Sequence, residues 1–210
     1  GDLIVWDMRG HGASGSPDDP ALYSEAHTVA DMHAILDACG VDRAVIGGLS
    51  LGGYMSLAFH LDARERCEAL MLFDTGPGYK SDTGRDRWNV TAAQRAQALE
   101  RDGLAALGAG NEVRIARHRS AQGLAHAARG MLAQVDDRVI RSLPEISCPT
   151  LVLVGEDDTP FRVPSDYMAG KISGARLDVI PRAGHASNID QPRAFNAAVG
   201  SFLDGLGPRA

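Results

Sequence analysis

Apolar residues along this chain gather in five short runs with few polar interruptions. Each run has four or five residues and lacks the strict alternation of a strand with one wet face. Strands that are covered on both faces show this continuous pattern, whereas helices need a longer periodic stretch. The pattern predicts five buried strands: Leu3 to Trp6, Ala44 to Gly47, Ala69 to Phe73, Thr150 to Val154 and Leu177 to Ile180.

Helical periodicity fills the segments between these runs. Before the second run, apolar residues recur at helical spacing and stop at Gly40, which suits a helix C-terminus: Val29, Met32, Ile35, Leu36 and Cys39. Strands that alternate with helices are typical of an α/β fold with a mainly parallel sheet. Ligands bind such a sheet at the carboxyl ends of its strands. The predicted fold class is therefore α/β, with helices covering the sheet.

The segment from Gly78 to Leu143 departs from this alternation, because it holds no strand-like run. It contains helical stretches rich in Ala, Arg and Gln, separated by glycines. A helical lid over the strand ends is favoured over ordinary crossover helices, since crossovers are usually much shorter. The expected organisation is a core of residues 1–77 and 144–210 with a lid of residues 78–143.

Charge and cysteine content narrow the expected partners and location. The 210 residues carry a net charge of −6, with Lys and Arg scattered, so neither nucleic acid nor a membrane surface is an expected partner. No run approaches the roughly 20 apolar residues that span a bilayer. The cysteines form no C-x-x-C pair and lie in or beside apolar segments: Cys39, Cys67 and Cys148. We expect reduced, buried, structural thiols in a cytoplasmic protein.

A candidate nucleophile lies in Gly48-Leu49-Ser50-Leu51-Gly52, where the second apolar run turns into a helical pattern. In this G-x-S-x-G arrangement, small residues let strand and helix approach while the serine is forced outward on a strained turn. A motif this short also arises by chance. Whether Ser50 is predicted to be a nucleophile therefore depends on the residues that could activate it.

A nucleophilic serine needs a base that is itself oriented by a carboxylate. Of the seven histidines, His185 follows the last apolar run and stands on a loop directly after Gly184, where it could reach over Ser50. The others lie in a glycine-rich loop or on predicted helices, and a structural or surface role is favoured for them: His11, His27, His33, His60, His118 and His126.

The acid should also follow a strand, and Asp157 and Asp158 both follow the fourth apolar run. Either gives the chain order of serine, acid and histidine that this kind of elbow uses. Asp74 also ends a run and is a rival acid, but its sequence neighbours favour a turn. For the oxyanion, the backbone N–H of Leu51 is the expected donor, and no second donor is predicted.

Motifs for other chemistries are missing from the sequence. It has no H-E-x-x-H motif, no metal-type spacing of Cys and His, no G-x-G-x-x-G that enters a helix after a strand, and no G-x-x-x-x-G-K-[ST] motif. We therefore expect neither a metal nor a nucleotide cofactor. The expected partner is a small-molecule substrate.

With these residues assembled, the chain resembles the α/β-hydrolase superfamily from end to end. Four motifs carry the resemblance in the family's order. They are Trp6 to Ser14 as the D-x-R-G-x-G-x-S loop, Gly48 to Gly53 as the elbow, Pro149 to Asp158 as strand seven and the acid loop, and Gly184-His185 followed by Gln191-Pro192 as the base loop and the start of the last helix. The resemblance implies the α/β-hydrolase fold and a triad of Ser50, His185 and Asp158, since the family acid lies three residues after the glycine.

The resemblance also implies an activity. Hydrolysis of an ester, lactone or thioester of a small molecule is expected, and the chain is most similar to the enol-lactonase and non-haem haloperoxidase branch. C–C bond hydrolases with the same triad are one alternative. A member of this fold that binds a ligand without catalysis is another.

The departure from the family lies at the front of the chain. In the family, three strands and an H-G-x-P-like loop with the second oxyanion donor precede the first apolar run seen here. We therefore expect the sequence to begin inside a longer protein. The 210 residues alone are expected to fold poorly and to have little activity, because unpaired strand edges cost about 1 to 3 kcal/mol per group. No oligomeric state is predicted.

Overall fold

The structure, a computed structural model, describes residues 2–207 and divides into two compact units. One, called here the helical unit, contains Gly1–Met32 and Ser81–Asp136. The other, the sheet unit, contains His33–Lys80 and Asp137–Ala210. Every residue predicted above to take part in catalysis therefore belongs to the sheet unit.

A parallel sheet of four strands, in the order β1-β2-β3-β4, organises the sheet unit. It confirms four of the five predicted strands, each within two residues of its expected bounds: β1 Ala44–Leu49, β2 Cys67–Phe73, β3 Thr150–Gly155 and β4 Arg176–Ile180. β3 is buried along its whole length, which explains its unbroken apolar run. Parallel pairing brings the carboxyl ends of the strands to one edge of the sheet.

Helices precede β1, lie between the later strands and follow β4. Their bounds are α1 Glu25–Ala38, α2 Leu51–Asp62, α3 Asp82–Asp102, α4 Asn111–Ala116, α5 Ala121–Ala127, α6 Arg138–Ser142, α7 Thr159–Lys171, α8 Ser187–Asp190 and α9 Pro192–Gly205. Short 3₁₀ turns lie at Pro20–Leu22, Arg64–Arg66, Gly103–Leu107 and Leu143–Glu145, and one π-helical turn at Ala128–Leu132.

The helix predicted before Gly40 is α1, and its end follows from the backbone of that glycine. Gly40 has a φ of +66°, which a residue without Cβ adopts at little cost. Its N–H donates to the carbonyl of Asp37, and the N–H of Val41 donates to that of Leu36. These two bonds satisfy carbonyls that the helix leaves without partners, so the chain turns sharply towards β1.

One core cluster of the sheet unit joins the sheet to α9 and to the loop after β4. It consists of Ala69, Leu151, Leu153, Ile180, Ala183 and Phe202. Ala183 is fully buried and lies two residues before His185. The predicted base loop is therefore anchored in the core on its amino-terminal side.

The prediction of a strand at Leu3 to Trp6, the first apolar run, is wrong. These residues have no strand assignment, and Leu3 is 85% and Val5 78% exposed. A parallel strand exists only where a neighbouring strand exchanges backbone hydrogen bonds with it. The described residues of the helical unit contain no strand, so this apolar run has no ladder to join within its unit.

Between residues 82 and 142 the chain forms helices and helical turns but no strand. Ser81–Asp136 of this segment groups with Gly1–Met32 in the helical unit, whereas its end belongs to the sheet unit. The role of residues 78–143 as a lid stays a prediction. Within residues 2–207, no helix combines the length and the apolar character needed to cross a bilayer.

The cysteines are free thiols, but they are not all buried. Cys67 is buried, Cys148 is half-buried and Cys39 is exposed. Burial raises the pKa of the Cys67 thiol to about 12, so this group stays protonated and unreactive. The expectation of a buried thiol is wrong for Cys39, because α1 ends at Ala38 and helical spacing no longer sets the direction of the next side chain.

Candidate active site

Four polar residues follow the carboxyl ends of the four strands. Ser50 comes directly after β1, Asp74 directly after β2, Asp158 three residues after β3 and His185 five residues after β4. Since the strands are parallel, these positions share one edge of the sheet, where α/β proteins bind their ligands. This edge of the sheet unit is the candidate active site.

The backbone at Ser50 is strained, as the elbow motif predicts. Ser50 has a φ of 55° and a ψ of −116°, a region that residues other than glycine rarely occupy. Its N–H donates to the carbonyl of Phe73 over 2.9 Å, and its carbonyl accepts from the Thr75 hydroxyl over 2.6 Å. Both bonds hold the turn in place, and strain of this kind is concentrated at functional sites.

The glycines beside Ser50 let β1 and α2 approach closely. A Cβ placed on Gly48 would lie 2.5 Å from the carbonyl carbon of Gly52 and 2.7 Å from its Cα. No real Cβ tolerates such distances to a backbone. The explanation given above for the small residues of the motif is therefore confirmed at Gly48.

Leu51, the expected oxyanion donor, is the first residue of α2. The first N–H groups of a helix have no acceptor within the helix, and the helix dipole favours negative charge at that end. The Leu51 N–H is therefore at a position suited to donate a hydrogen bond to an oxyanion, as expected from the sequence.

Of the two candidate acids, Asp158 contacts the candidate base. Asp158 Oδ2 lies 2.9 Å from Nδ1 of His185. The Asp158 side chain is 3% exposed and that of His185 39%, whereas Asp157 is exposed to solvent. Because a carboxylate only accepts, the hydrogen of this bond belongs to Nδ1. Nε2 of His185 is then left as a proton acceptor, and the pairing of His185 with Ser50 stays a prediction.

Backbone bonds fix the acid loop to the base loop. The N–H of Asp157 donates to the carbonyl of Ala183 over 2.8 Å, and that of Glu156 to the carbonyl of Ile180 over 2.9 Å. The Glu156 carboxylate accepts from the N–H of Arg182 over 3.0 Å. These contacts place Asp158 and His185 in register although 27 positions separate them in sequence.

The aromatic ring of Phe161, in α7, stacks on the imidazole of His185. The ring centroids are 5.1 Å apart, with 26° between the planes. A ring packed against one face of the imidazole restricts its rotation. Sequence reasoning missed Phe161, since a lone aromatic residue near the start of a helix carries no sign of its partner.

The rival acid, Asp74, is fully buried and has other partners. Its Oδ1 accepts from the N–H of Gly155 over 2.7 Å, and its Oδ2 accepts from the hydroxyl of Ser187. Its φ of 46° fits the predicted turn. A turn explains neither the burial nor the two hydrogen bonds, so the expectation for Asp74 was incomplete, and Ser187 was missed.

Burial raises the pKa of Asp74 from the ordinary 3.8 to about 6. The hydrogen bonds from Ser187 and Gly155 and the charge of His185 oppose this rise, while the charge of Asp158 adds to it. Asp74 is therefore ionised at neutral pH and takes up a proton as the pH falls through about 6.

The stability of the fold is expected to depend on this titration. A carboxyl group with a higher pKa in the folded chain contributes stability below its unfolded pKa and loses that contribution as the pH rises through about 6. Asp74→Asn removes the group. The difference between the free energy of unfolding of Asp74→Asn and that of the wild type should therefore rise by about 3 kcal/mol between about pH 4 and pH 7. Each pKa unit corresponds to about 1.36 kcal/mol.

Urea unfolding across this pH range measures the effect. Thr150→Val is the matched control, because it alters a buried polar residue of β3 that does not titrate. The free energy of unfolding of Thr150→Val should change with pH in the same way as that of the wild type. Parallel stability curves for the wild type and Asp74→Asn would show that Asp74 does not titrate in this range.

The other histidines differ in part from expectation. His60, in α2, is buried rather than on the surface, since α2 is packed on most of its faces. His118 lies in the loop after α4, not on a helix, and its Nδ1 accepts from the N–H of Gly12 over 2.9 Å. His11 stands in the glycine-rich loop, and three half-buried histidines lie on helices as predicted: His27, His33 and His126.

Comparisons with known proteins show which family the chain is similar to. Residues 1–198 match the alpha/beta hydrolase family. The 3-oxoadipate enol-lactonase 1 of Acinetobacter baylyi is 29% identical over 97% of this chain and 79% of its own length. The 2-hydroxymuconate semialdehyde hydrolase of a Pseudomonas strain is 29% identical over 96% of this chain and 76% of its own. A solved thermophilic esterase from Thermogutta terrifontis has a TM-score of 0.80 at 27% identity, covering 96% of this chain and 79% of that one.

Proposed function

The chain belongs to the alpha/beta hydrolase family, and from this premise we propose that it is a serine hydrolase acting on an ester, lactone or thioester of a small molecule. Relatives along nearly its whole length include an enol-lactonase and a semialdehyde hydrolase, and it is a hydrolase of this fold. The proposal adds a mechanism, a triad of Ser50, His185 and Asp158, and a substrate class.

In the proposed first half-reaction, Oγ of Ser50 attacks the carbonyl carbon while Nε2 of His185 takes the hydroxyl proton. The N–H of Leu51 donates to the oxygen that becomes negative. His185 then returns the proton to the alkoxide or thiolate as the C–O or C–S bond breaks, and an acyl ester of Ser50 remains.

Water completes the proposed cycle. His185 removes a proton from a water molecule that attacks the acyl carbon, and a second tetrahedral intermediate collapses with release of the carboxylic acid. The proton returns to Ser50, which restores the starting state. In both halves the imidazole becomes positively charged, and the Asp158 carboxylate stabilises that charge through Nδ1.

The observation that carries the proposal is the hydrogen bond of 2.9 Å between His185 and Asp158. It sets the tautomer that leaves Nε2 free to accept a proton, and the near-complete burial of Asp158 strengthens the interaction. A surface ion pair would have no such consequence for catalysis. The strained backbone of Ser50 at the same edge of the sheet adds support.

A fluorophosphonate probe tests for an activated serine in the whole protein. We expect covalent labelling of the wild type and none of Ser50→Ala. Ser56→Ala is the matched control, because Ser56 is buried in α2, where its hydroxyl donates to the carbonyl of Gly52. The control should be labelled like the wild type.

Hydrolysis of p-nitrophenyl esters of increasing acyl length then defines the size of substrate. A wild type that is neither labelled nor active on any ester would contradict the proposal and favour a ligand-binding role. Labelling that persists in Ser50→Ala would place the reactive group elsewhere.

A C–C bond hydrolase with the same residues is the second candidate. It is favoured by the likeness to a relative named 2-hydroxymuconate semialdehyde hydrolase. Turnover of 2-hydroxymuconate semialdehyde, compared with p-nitrophenyl acetate under the same conditions, separates the two candidates. A higher kcat/KM for the semialdehyde would favour C–C bond cleavage.

We also propose that the protein works in the cytoplasm. Its support is the state of the cysteines, since Cys39, Cys67 and Cys148 are all free thiols. Thiols persist in reducing compartments, whereas exported proteins more often pair them. Cell fractionation with an antibody to the protein tests this location.

A further inference from the structure

We propose that Asp74 is a positioning residue for this hydrolysis: its buried carboxylate ties the end of β3 to the segment after His185 and thereby holds the imidazole against Asp158. This inference rests on the proposed function, because it concerns the triad of that reaction. It assigns to Asp74 and Ser187 a role that neither the elbow motif nor the acid and base motifs contain.

His185 lies between two segments that hydrogen bonds anchor. On its amino-terminal side, the carbonyl of Ala183 accepts from the N–H of Asp157, next to the acid. On its carboxyl-terminal side, the hydroxyl of Ser187 donates to Asp74. His185 lies midway between these residues, so the second anchor restricts the loop where the first one leaves it free.

Asp74 also bonds to β3, the strand that precedes the acid loop. Oδ1 of Asp74 accepts from the N–H of Gly155, the last residue of β3. The carbonyl of Gly155 in turn accepts from the N–H of Asp158 over 3.1 Å. One carboxylate therefore contacts both the strand end that carries the acid and the segment that follows the base.

Burial of the Asp74 carboxylate has a free-energy cost. Asp74 is fully buried, as is Ser187, and an ionised carboxylate is expensive to bury unless hydrogen bonds compensate. Asp74 also has a φ of 46°, a left-handed conformation that asparagine or glycine adopts as readily as aspartate. Either of those residues would form the turn without the free-energy cost of a buried charge. The two bonds across separate loops are what the carboxylate adds.

The experiment compares three variants with a control in the whole protein. Asp74→Ala removes both bonds and Ser187→Ala removes one. Asp74→Asn keeps an acceptor for Gly155 and gains an N–H that can donate to the Ser187 hydroxyl. Thr150→Val is the control, since Thr150 is a buried polar residue at the opposite end of β3.

The readout is kcat and KM for p-nitrophenyl acetate, expressed per molecule that the fluorophosphonate probe labels. Misplacement of a catalytic group by about 1 Å costs about 100-fold in rate. We expect kcat to fall about 10- to 100-fold in Asp74→Ala and less in Ser187→Ala, with KM nearly unchanged. Asp74→Asn should recover much of the loss, and Thr150→Val should match the wild type.

A merely structural role would reduce the number of labelled molecules and leave kcat per labelled molecule unchanged. That result in both Asp74→Ala and Ser187→Ala would overturn the proposal. If Asp74→Ala does not fold, the comparison of Ser187→Ala with Asp74→Asn decides in the same way.

A second measurement does not depend on turnover. The proton on Nδ1 of His185, bonded to Asp158, should give a low-field NMR signal that broadens in Asp74→Ala and Ser187→Ala but not in Thr150→Val. An unchanged signal in both variants overturns the positioning role. Absence of labelling in the wild type together with a broadened signal in the variants contradicts the proposed function and leaves the positioning role intact.

Discussion

Replacement of Asp158 by alanine is expected to lower kcat about 1,000- to 10,000-fold, the scale seen when a triad loses its acid. Asp158 Oδ2 is the acceptor for Nδ1 of His185 at 2.9 Å. Without it, the imidazole is free to carry its hydrogen on Nε2, which then cannot take the proton of Ser50. The positive charge that forms on the ring also loses its buried partner. KM should change little, because the carboxylate does not contact the substrate in this mechanism.

Steady-state hydrolysis of p-nitrophenyl acetate measures the effect, and the chain supplies its own control. Asp157 is the adjacent carboxylate, with the same charge and an exposed side chain. Asp157→Ala should keep kcat within a few-fold of the wild type, since only its backbone N–H bonds to the base loop. Equal losses in the two variants would refute the assignment of Asp158 as the acid.

Substitution of Gly48 by alanine is expected to lower the free energy of unfolding by about 3 kcal/mol, as severe overpacking does. The new Cβ would lie 2.5 Å from a backbone atom of Gly52, so β1 and α2 have to separate. That movement displaces the turn that holds Ser50. We therefore expect labelling of Ser50 by the fluorophosphonate probe to slow as well.

Urea unfolding followed by circular dichroism measures this loss, with Gly200→Ala as the matched control. Gly200 lies within α9, and a Cβ there meets no atom within 4 Å. Alanine is the better helix former by about 0.5 to 1 kcal/mol, so the control should gain stability. If Gly48→Ala were as stable as the wild type, the close approach at the elbow would not constrain the residue.

The four strands of the sheet unit could be predicted because each contains a short apolar run, which is a property of that segment alone. Burial differs between them, since β3 is buried throughout whereas Arg176 and Val179 of β4 are exposed. The nucleophile elbow was visible for a similar reason, since the restriction on Cβ atoms acts between residues only four apart. The fold inferred from these segments is confirmed by the family match and by the solved esterase.

The errors have other causes. Leu3 to Trp6 has the composition of a strand, but a strand requires a partner, and pairing is decided by residues remote in sequence. Cys39 continues a helical spacing beyond the residue at which α1 ends. His60 looks like a surface residue in the sequence and is buried because of what packs around α2.

The sequence by itself determined the family, the fold class and the set of residues from which a triad could be drawn, because these depend on local patterns and on chain order. The resemblance to the family also selected Asp158 as the acid, whereas only the tertiary structure gave Asp74 its place between β3 and Ser187. The hydrogen bonds of Asp74 cross 81 and 113 positions of sequence. Contacts over such distances exist only after parallel strands have brought their carboxyl ends together, and no local pattern records them.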